Sequence, residues 1–508
     1  MNPWQWLRYL AGVCPGPLGP GHGVVPELYP SSSGRNVIQF KWIFASPIEG
    51  KDMLTRFEVS GFKNLENVSV DFGPFTCIAG PNSVGKSNLF DAIEFLSLLS
   101  DHNFLEACKL IRPTSQQRSD VSSLFSTRVI QGHENLRLAA EMILPSPVLD
   151  EFKQEVKPER TFVRYDVEIA AEKGAFLSTG LQLRLVNEQL SPVQYPKDHL
   201  HFPESTAYVK RFVQGAHKFF PLSTTEENGN TIIQIQNGSR GRPRKIAANN
   251  AQRTVLSATA LAENPIIFAA HEEMRSWRFV ALEPSAMRAP DDMVEARPIS
   301  STGAHIPSSL FRQQLQEGNR SNVMNRVRDA IGALVDIRDL HVVQDRARDT
   351  LELRAKIGAT PELPARSLSD GTLRFLALSA MKVSHDYFGM LCMEEPENGI
   401  HPSKIADMYR LLRGISDPTE HSARQVIVNT HSPYFVQATK DDDILCAVGK
   451  SIPDGQGGIL RSVGFHPLPG TWRAKTKPED STGARPVSRG EIAAFLENPD
   501  KSIGDEDE

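Results

Sequence analysis

Residues 75–99 read FTCIAGPNSVGKSNLFDAIEFLSLL. The first five are apolar and strand-like, residues 80–87 carry two glycines and then Lys-Ser, and Leu89, Ile93, Phe95 and Leu98 follow at helical spacing. Strand, glycine loop and helix in that order predict a phosphate cradle. Gly80 and Gly85 let the backbone wrap an anion with its N–H groups, and the helix start adds a favourable dipole. Pro81, Asn82, Ser83, Val84 and Asn88 complete the candidate nucleotide contacts. Lys86 is placed to reach the β and γ phosphates, and the Ser87 hydroxyl to ligate magnesium. A chance glycine turn before a helix is the bland alternative, and the flanking strand and helix argue against it.

Working outward, residues 388–393 form a second apolar run that ends in Glu394 and Glu395. Carboxylates at the carboxyl end of a buried strand lie where an α/β sheet places its chemistry. Glu394 would hold the metal through its water shell, and Glu395 would orient and deprotonate an attacking water. Taken alone, the pair could equally be solvated at a strand exit. A third run, Val426 to Val428, leads through Asn429 and Thr430 to His431, Ser432 and Pro433. His431 at a strand end can donate to a γ phosphate. A lone His is more often structural, but here residues 405–412 read as a helix between the two runs, the ordinary βαβ alternation. SLSDGT, residues 367–372, opens the helical run of Leu373, Leu376, Leu378 and Met381. Ser369 and Gly371 there make a second anion nest, although Ser-Asp-Gly is also simply a good N-cap.

With residues 80–87, 368–372, Glu394 and Glu395, and His431 in that order, the chain resembles ABC-type ATPase heads. It is more closely similar to the stand-alone RecF/OLD-like branch of AAA-family ATPases, through FEVSGFKNL at 57–65, LSDGT at 368–372, EEPENGIHP at 394–402 and NTHSP at 429–433. The resemblance implies an α/β fold: a P-loop NTPase head of ABC type with a mixed central sheet, an antiparallel β lobe and an inserted α/β segment. It implies ATP and Mg2+ as cofactors, with Lys86, Glu395 and His431 catalytic and Ser87 and Glu394 on the metal. It further implies a head-to-tail homodimer or higher oligomer, in which ATP lies between the loop of one chain and Ser369 and Gly371 of the other. Residues 398–401 would sense the opposite chain, and hydrolysis would reset the dimer. Two departures stand out. Glu394 replaces the usual Asp, and the glutamine that contacts magnesium is not assignable, Gln116 and Gln117 lying only near its rough position.

The 508 residues are 40% hydrophobic and 23% charged, ordinary globular usage that excludes wholesale disorder, collagen-like and disulfide-scaffold classes. No apolar run approaches the ~18 residues of a membrane span. Lys plus Arg number 56 against 61 Asp plus Glu, net −5, so any nucleic-acid contact must be local. Cys14, Cys77, Cys108, Cys392 and Cys446 are odd in number and scattered, which fits a reducing cytoplasm. Cys77 and Cys392 read as small packed hydrophobes.

Five segments are expected. Residues 1–52 hold seven glycines, seven prolines and three of the five tryptophans, and read as a disordered extension. Residues 53–188 carry the phosphate loop and antiparallel strands near 136–144, 162–169 and 181–186. Residues 189–339 are an insertion with helical texture at 255–274 and 310–334. Residues 340–465 carry the remaining motifs, and 466–508 read as a loose polar tail.

Within the insertion, Arg240, Gly241, Arg242 and Pro243 resemble an AT-hook for a narrow minor groove, against the plainer reading of a solvated hairpin turn. About 75 residues follow His431, fewer than the ~100 of a nuclease domain. The expected partner is therefore a separate effector, a nuclease or other toxic protein in a DNA-directed or antiphage system. Two alternatives remain: the nucleotide-binding subunit of a membrane transporter, against which Asp370, Thr372 and the long insertion stand, and a DNA-repair end sensor without a toxic effector.

Overall fold

A computed structural model describes residues 52–497 apart from 113–120, 174–180, 216–217, 238–241, 260–261, 295–296, 318–322, 333, 385–388, 418–423, 454–456 and 476–484, together with the backbone of 23–30 and 36–43. Two large sheets organise the chain. The six-stranded sheet runs, in spatial order, Arg278–Val280, Met390–Glu394, Gln425–Thr430, Phe75–Ala79, Ile444–Pro453 and Ile459–Pro467. Its first five strands are parallel, and only Ile459–Pro467 returns antiparallel. The histidine-bearing strand thus lies between the phosphate-loop strand and the acidic strand. Val426 stands opposite Phe75 and Thr430 opposite Ala79, while Met390 stands opposite Gln425 and Glu394 opposite Asn429. That register brings the three motifs out together at the carboxyl ends of neighbouring parallel strands.

All five residues of Phe75–Ala79 are buried because the strand is covered on both faces, the usual reason a parallel strand reads as a continuous apolar run. Ile78 faces the core shared with the helix Lys86–Leu98 and the antiparallel sheet. Phe75 and Cys77 face the second core, built with the helices Asp370–Val383 and Ile405–Ile415. Burial pushes the Cys77 thiol far up and that of Cys446 up to about 12, so both stay protonated packing groups.

The other large sheet has eight antiparallel strands and spans Arg244–Ala247, Asn230–Ile235, Leu222–Glu227, Leu181–Pro192, Phe162–Lys173, Leu136–Ile143, Met53–Ser60 and Val68–Asp71. Gln425 joins the sheets. Its side chain accepts from Leu54 N at 3.0 Å and donates to Leu54 O at 2.7 Å and Gly73 O at 3.0 Å.

Three expectations change. Residues 189–339 are not one insertion: the strands between Leu222 and Ala247 extend the antiparallel sheet, and Arg278–Val280 edges the central one. Sequence texture could not reveal this, because strand pairing is nonlocal. The chain before residue 53 is not wholly loose, since Gly23–Pro30 and Asn36–Ile43 form an antiparallel ribbon. The second of these, NVIQFKWI, is rich in β-branched and aromatic types, and that propensity prevails over the surrounding glycine and proline. The start of the tail is also packed. Trp472 stacks edge-on to Phe202 at 6.4 Å, and Arg473 is buried, donating to Asp71 O, Asp442 O and Thr76 Oγ1 at 2.9, 2.7 and 2.8 Å. The helix Arg489–Glu497 buries Ile492. The basic stretch near Arg242 follows Asn230–Ile235 and precedes Arg244–Ala247 in a hairpin, with Ile235 opposite Arg244. Arg240 and Gly241 lie outside the described residues, as do Gln116, Gln117 and Phe388.

Candidate nucleotide-binding site

The loop after Ala79 is held by contacts with the protein's own backbone and side chains. Gly80 N donates to Thr430 O at 3.2 Å, and a Cβ on Gly80 would meet Ala447 O at 2.7 Å. Gly85 has φ 121, in the left-handed region, where a side chain would also strike the Asn64 carboxamide at 2.7 Å. Asn64 belongs to the opening FKNL and acts as a strut. Its Nδ2 donates to Val84 O at 3.0 Å, and its Oδ1 accepts from Asn88 Nδ2 at 2.7 Å. No side chain caps the helix Lys86–Leu98, so its first N–H groups remain aimed at the loop.

Lys86 is 6% exposed and donates to Gly80 O and Pro81 O, each at 2.6 Å. Burial pulls its ammonium down from the ordinary lysine range, against the opposing fields of Glu395, Glu397 and Glu394. The cation is therefore poised in a carboxylate-lined corner, folded back on loop carbonyls.

Glu395 leaves the acidic strand with φ 45, a left-handed conformation that a non-glycine residue adopts at a cost. Its backbone N donates to Asn429 O and Oδ1, both at 3.1 Å. One carboxylate oxygen meets His431 Nδ1 at 2.7 Å and the other accepts from Asn398 Nδ2 at 2.7 Å. The acidic and histidine motifs, 36 residues apart, thus meet in a contact between Glu395 and His431. Glu394 is paired differently. Arg112 Nη2 donates to its Oε1 at 2.5 Å, while Arg112 Nε donates to buried Asp91 at 2.7 Å. Nearby Glu94 is pushed up to about 7 by burial, with Asp91 adding to the rise.

Residues 368–372 sit elsewhere. Ser369 caps the helix Asp370–Val383, accepting from Thr372 N at 3.3 Å, and both Ser369 and Asp370 are exposed. Arg288 braces the turn by donating to Leu368 O at 3.2 Å and to Asp370. A Cβ on Gly371 would lie 3.7 Å from Gly399 O, so this corner adjoins residues 398–401. Among the described residues, no hydrogen bond or ion pair joins residues 368–372 to residues 80–88.

The arrangement fits a magnesium nucleotide. The open helix start and the two left-handed loop residues Ser83 and Gly85 suit a polyphosphate, and Glu394 is a carboxylate that here pairs with the Arg112 guanidinium. Ser87 and Glu394 would hold the metal. Sequence reasoning assigned no role to Asn64, Arg112, Arg288 or Glu397. The motif FKNL signalled Asn64 by its presence, but the roles of the others depend on contacts between distant segments.

Comparison with known proteins supports the same class. Residues 53–274 match the family model of the AAA ATPase domain, and residues 249–437 match that of the AAA domain, putative AbiEii toxin, Type IV TA system. The chain is similar to the DNA replication and repair protein RecF of Lactobacillus johnsonii, 42% identical over 60 residues, or 12% of this chain and 16% of that protein. It is also similar to RecF of Lactococcus lactis subsp. cremoris, 35% identical over 65 residues, or 13% of this chain and 18% of that protein. The chain thus spans less than a fifth of the length of either relative. Among solved structures it is similar to an SmcHead bound to the C-winged helix domain of ScpA, at 14% identity and TM-score 0.41, covering 82% of this chain and 98% of that one. It is also similar to the SMC head domain from Thermotoga maritima, at 11% identity and TM-score 0.33, covering 82% and 99%. Both matched models describe AAA-type domains, each over less than half of this chain. Among the described residues, no helix is long and apolar enough to cross a membrane.

Proposed function

We propose that this chain hydrolyses ATP in a head-to-tail homodimer and that the ATP-dependent dimer regulates a separate effector in a DNA-directed or antiphage system. The observation that carries the reading is the division of the motifs: Lys86, Glu395 and His431 follow the carboxyl ends of neighbouring parallel strands, while Ser369 is exposed with no bond to its own chain's loop. Lys86 binds the phosphates, Glu395 accepts the proton of the attacking water, and His431 and Asn398 hold both oxygens of that carboxylate. Water adds to the γ phosphorus as its bond to the β-bridging oxygen breaks, leaving ADP and inorganic phosphate. Ser87 and Glu394 would hold magnesium, which would supply neutralisation of the phosphate charge. Arg112 is bonded to Oε1 of Glu394.

Mixing Ser369→Arg with Lys86→Ala tests the shared site, because a mixed dimer retains one intact composite pocket. Recovered ATPase activity is the expected result, and none would count against complementation between chains. The RecF similarity favours a second reading, a DNA-end sensor without a toxic effector. ATPase stimulation of the isolated protein by DNA ends would select it.

A further inference from the structure

We infer that Glu397 is a positioning residue for His431, setting through the Thr430 hydroxyl the direction in which the histidine meets Glu395. The inference rests on the ATPase reading for its consequence but on the geometry of Glu397 and Thr430 for its substance. Glu397 is the third carboxylate of EEPEN and, unlike Glu394 and Glu395, is 6% exposed. Its Oε1 accepts the Thr430 hydroxyl, and its Oε2 has no hydrogen-bond partner among the described residues. A carboxylate in such a place is costly, and burial accordingly raises its pKa despite the bond from Thr430. A small apolar residue would fill a packing role without that cost.

What the carboxylate gives in return is direction. The Thr430 hydroxyl has a single proton. Committed to Glu397, it leaves a lone pair for Ser432 N, which donates to Thr430 Oγ1 at 2.9 Å. Thr430 O meanwhile accepts from Gly80 N at 3.2 Å. Fully buried Thr430 therefore fastens the phosphate loop on one side and the turn carrying His431 on the other. The next residue along from Glu397, Asn398, holds the second oxygen of Glu395. Residues 397 and 398 thus fix both halves of the Glu395–His431 pair, one from each side.

The test uses the full chain with 15N-labelled histidine. In the nucleotide-free protein, Glu397→Ala and Thr430→Val should move the His431 imidazole signal toward its position in Glu395→Ala. Glu397→Gln, whose amide oxygen can still accept from Thr430, should leave it near wild type. In turnover, Glu397→Ala should lower kcat about tenfold with KM and binding of a fluorescent ATP analogue within about twofold, and Glu397→Gln should restore most of the loss. An unmoved His431 signal in Glu397→Ala, or equal loss in the Gln and Ala variants, would overturn the inference. Failure of the ATPase reading is separately visible, as wild-type turnover no higher than that of Lys86→Ala with the signal shift intact.

Discussion

Lys86 donates its protons to two carbonyls of its own loop, and a bound polyphosphate would have to win them. Charge-assisted contacts to phosphate are strong, so Lys86→Ala should weaken binding of a fluorescent ATP analogue by more than about a hundredfold. Asn64 acts less directly, by bracing Val84 and Asn88. Asn64→Ala should weaken the same binding about fivefold, the worth of one net hydrogen bond. Titration of both variants checks the ranking, and equal losses would remove the distinction between contact and strut. Lys86, Glu395 and His431 could be singled out in the sequence because each follows a recognisable apolar run. The contacts of Arg112 and Asn64 could not, since nothing near either residue records that its partner is Glu394 or Val84.

Elements are tied together here by buried polar groups. Glu188, in Leu181–Pro192, is fully buried and accepts from Val255 N at 2.6 Å, Leu256 N at 2.8 Å and the Tyr165 hydroxyl at 2.9 Å. It pins the helix Val255–Thr259 to the antiparallel sheet. Burial pushes its carboxyl up to about 7 from 4.5. The native state then holds a proton that the unfolded chain has released between those values, so this contribution is full at low pH and is lost as pH rises through about 7. Relative to Glu188→Gln, the wild-type protein should lose about 3 kcal/mol of stability between pH 5 and pH 8, measured by urea unfolding. A pH-independent difference would contradict the assignment. Arg473 fastens the tail to the phosphate-loop strand through Thr76. Arg473→Ala, which orphans several buried acceptors, should cost about 3 kcal/mol in the same assay. The alternating strands at 136–144 and 162–169 were legible from their period of two. The packing of Trp472 and Arg473 was not, because a Pro-rich polar stretch carries no signal of the surface it will cover.

At the scale of the whole molecule, the order of the motifs announces the class of fold, and strand order explains why those motifs meet. Segment boundaries were less legible, since residues on either side of 188 pair into one sheet. The outward-facing corner at Ser369, braced by Arg288, is the feature a single chain leaves unused. Arg288→Ala should leave monomer binding of the ATP analogue unchanged while weakening ATP-driven association about tenfold, read by sedimentation. The most direct measurement is the mass of Glu395→Gln in solution at saturating Mg-ATP. The account predicts a stable dimer that Ser369→Arg, introduced into the same chain, returns to monomer; a Glu395→Gln protein that binds ATP and remains monomeric would contradict it.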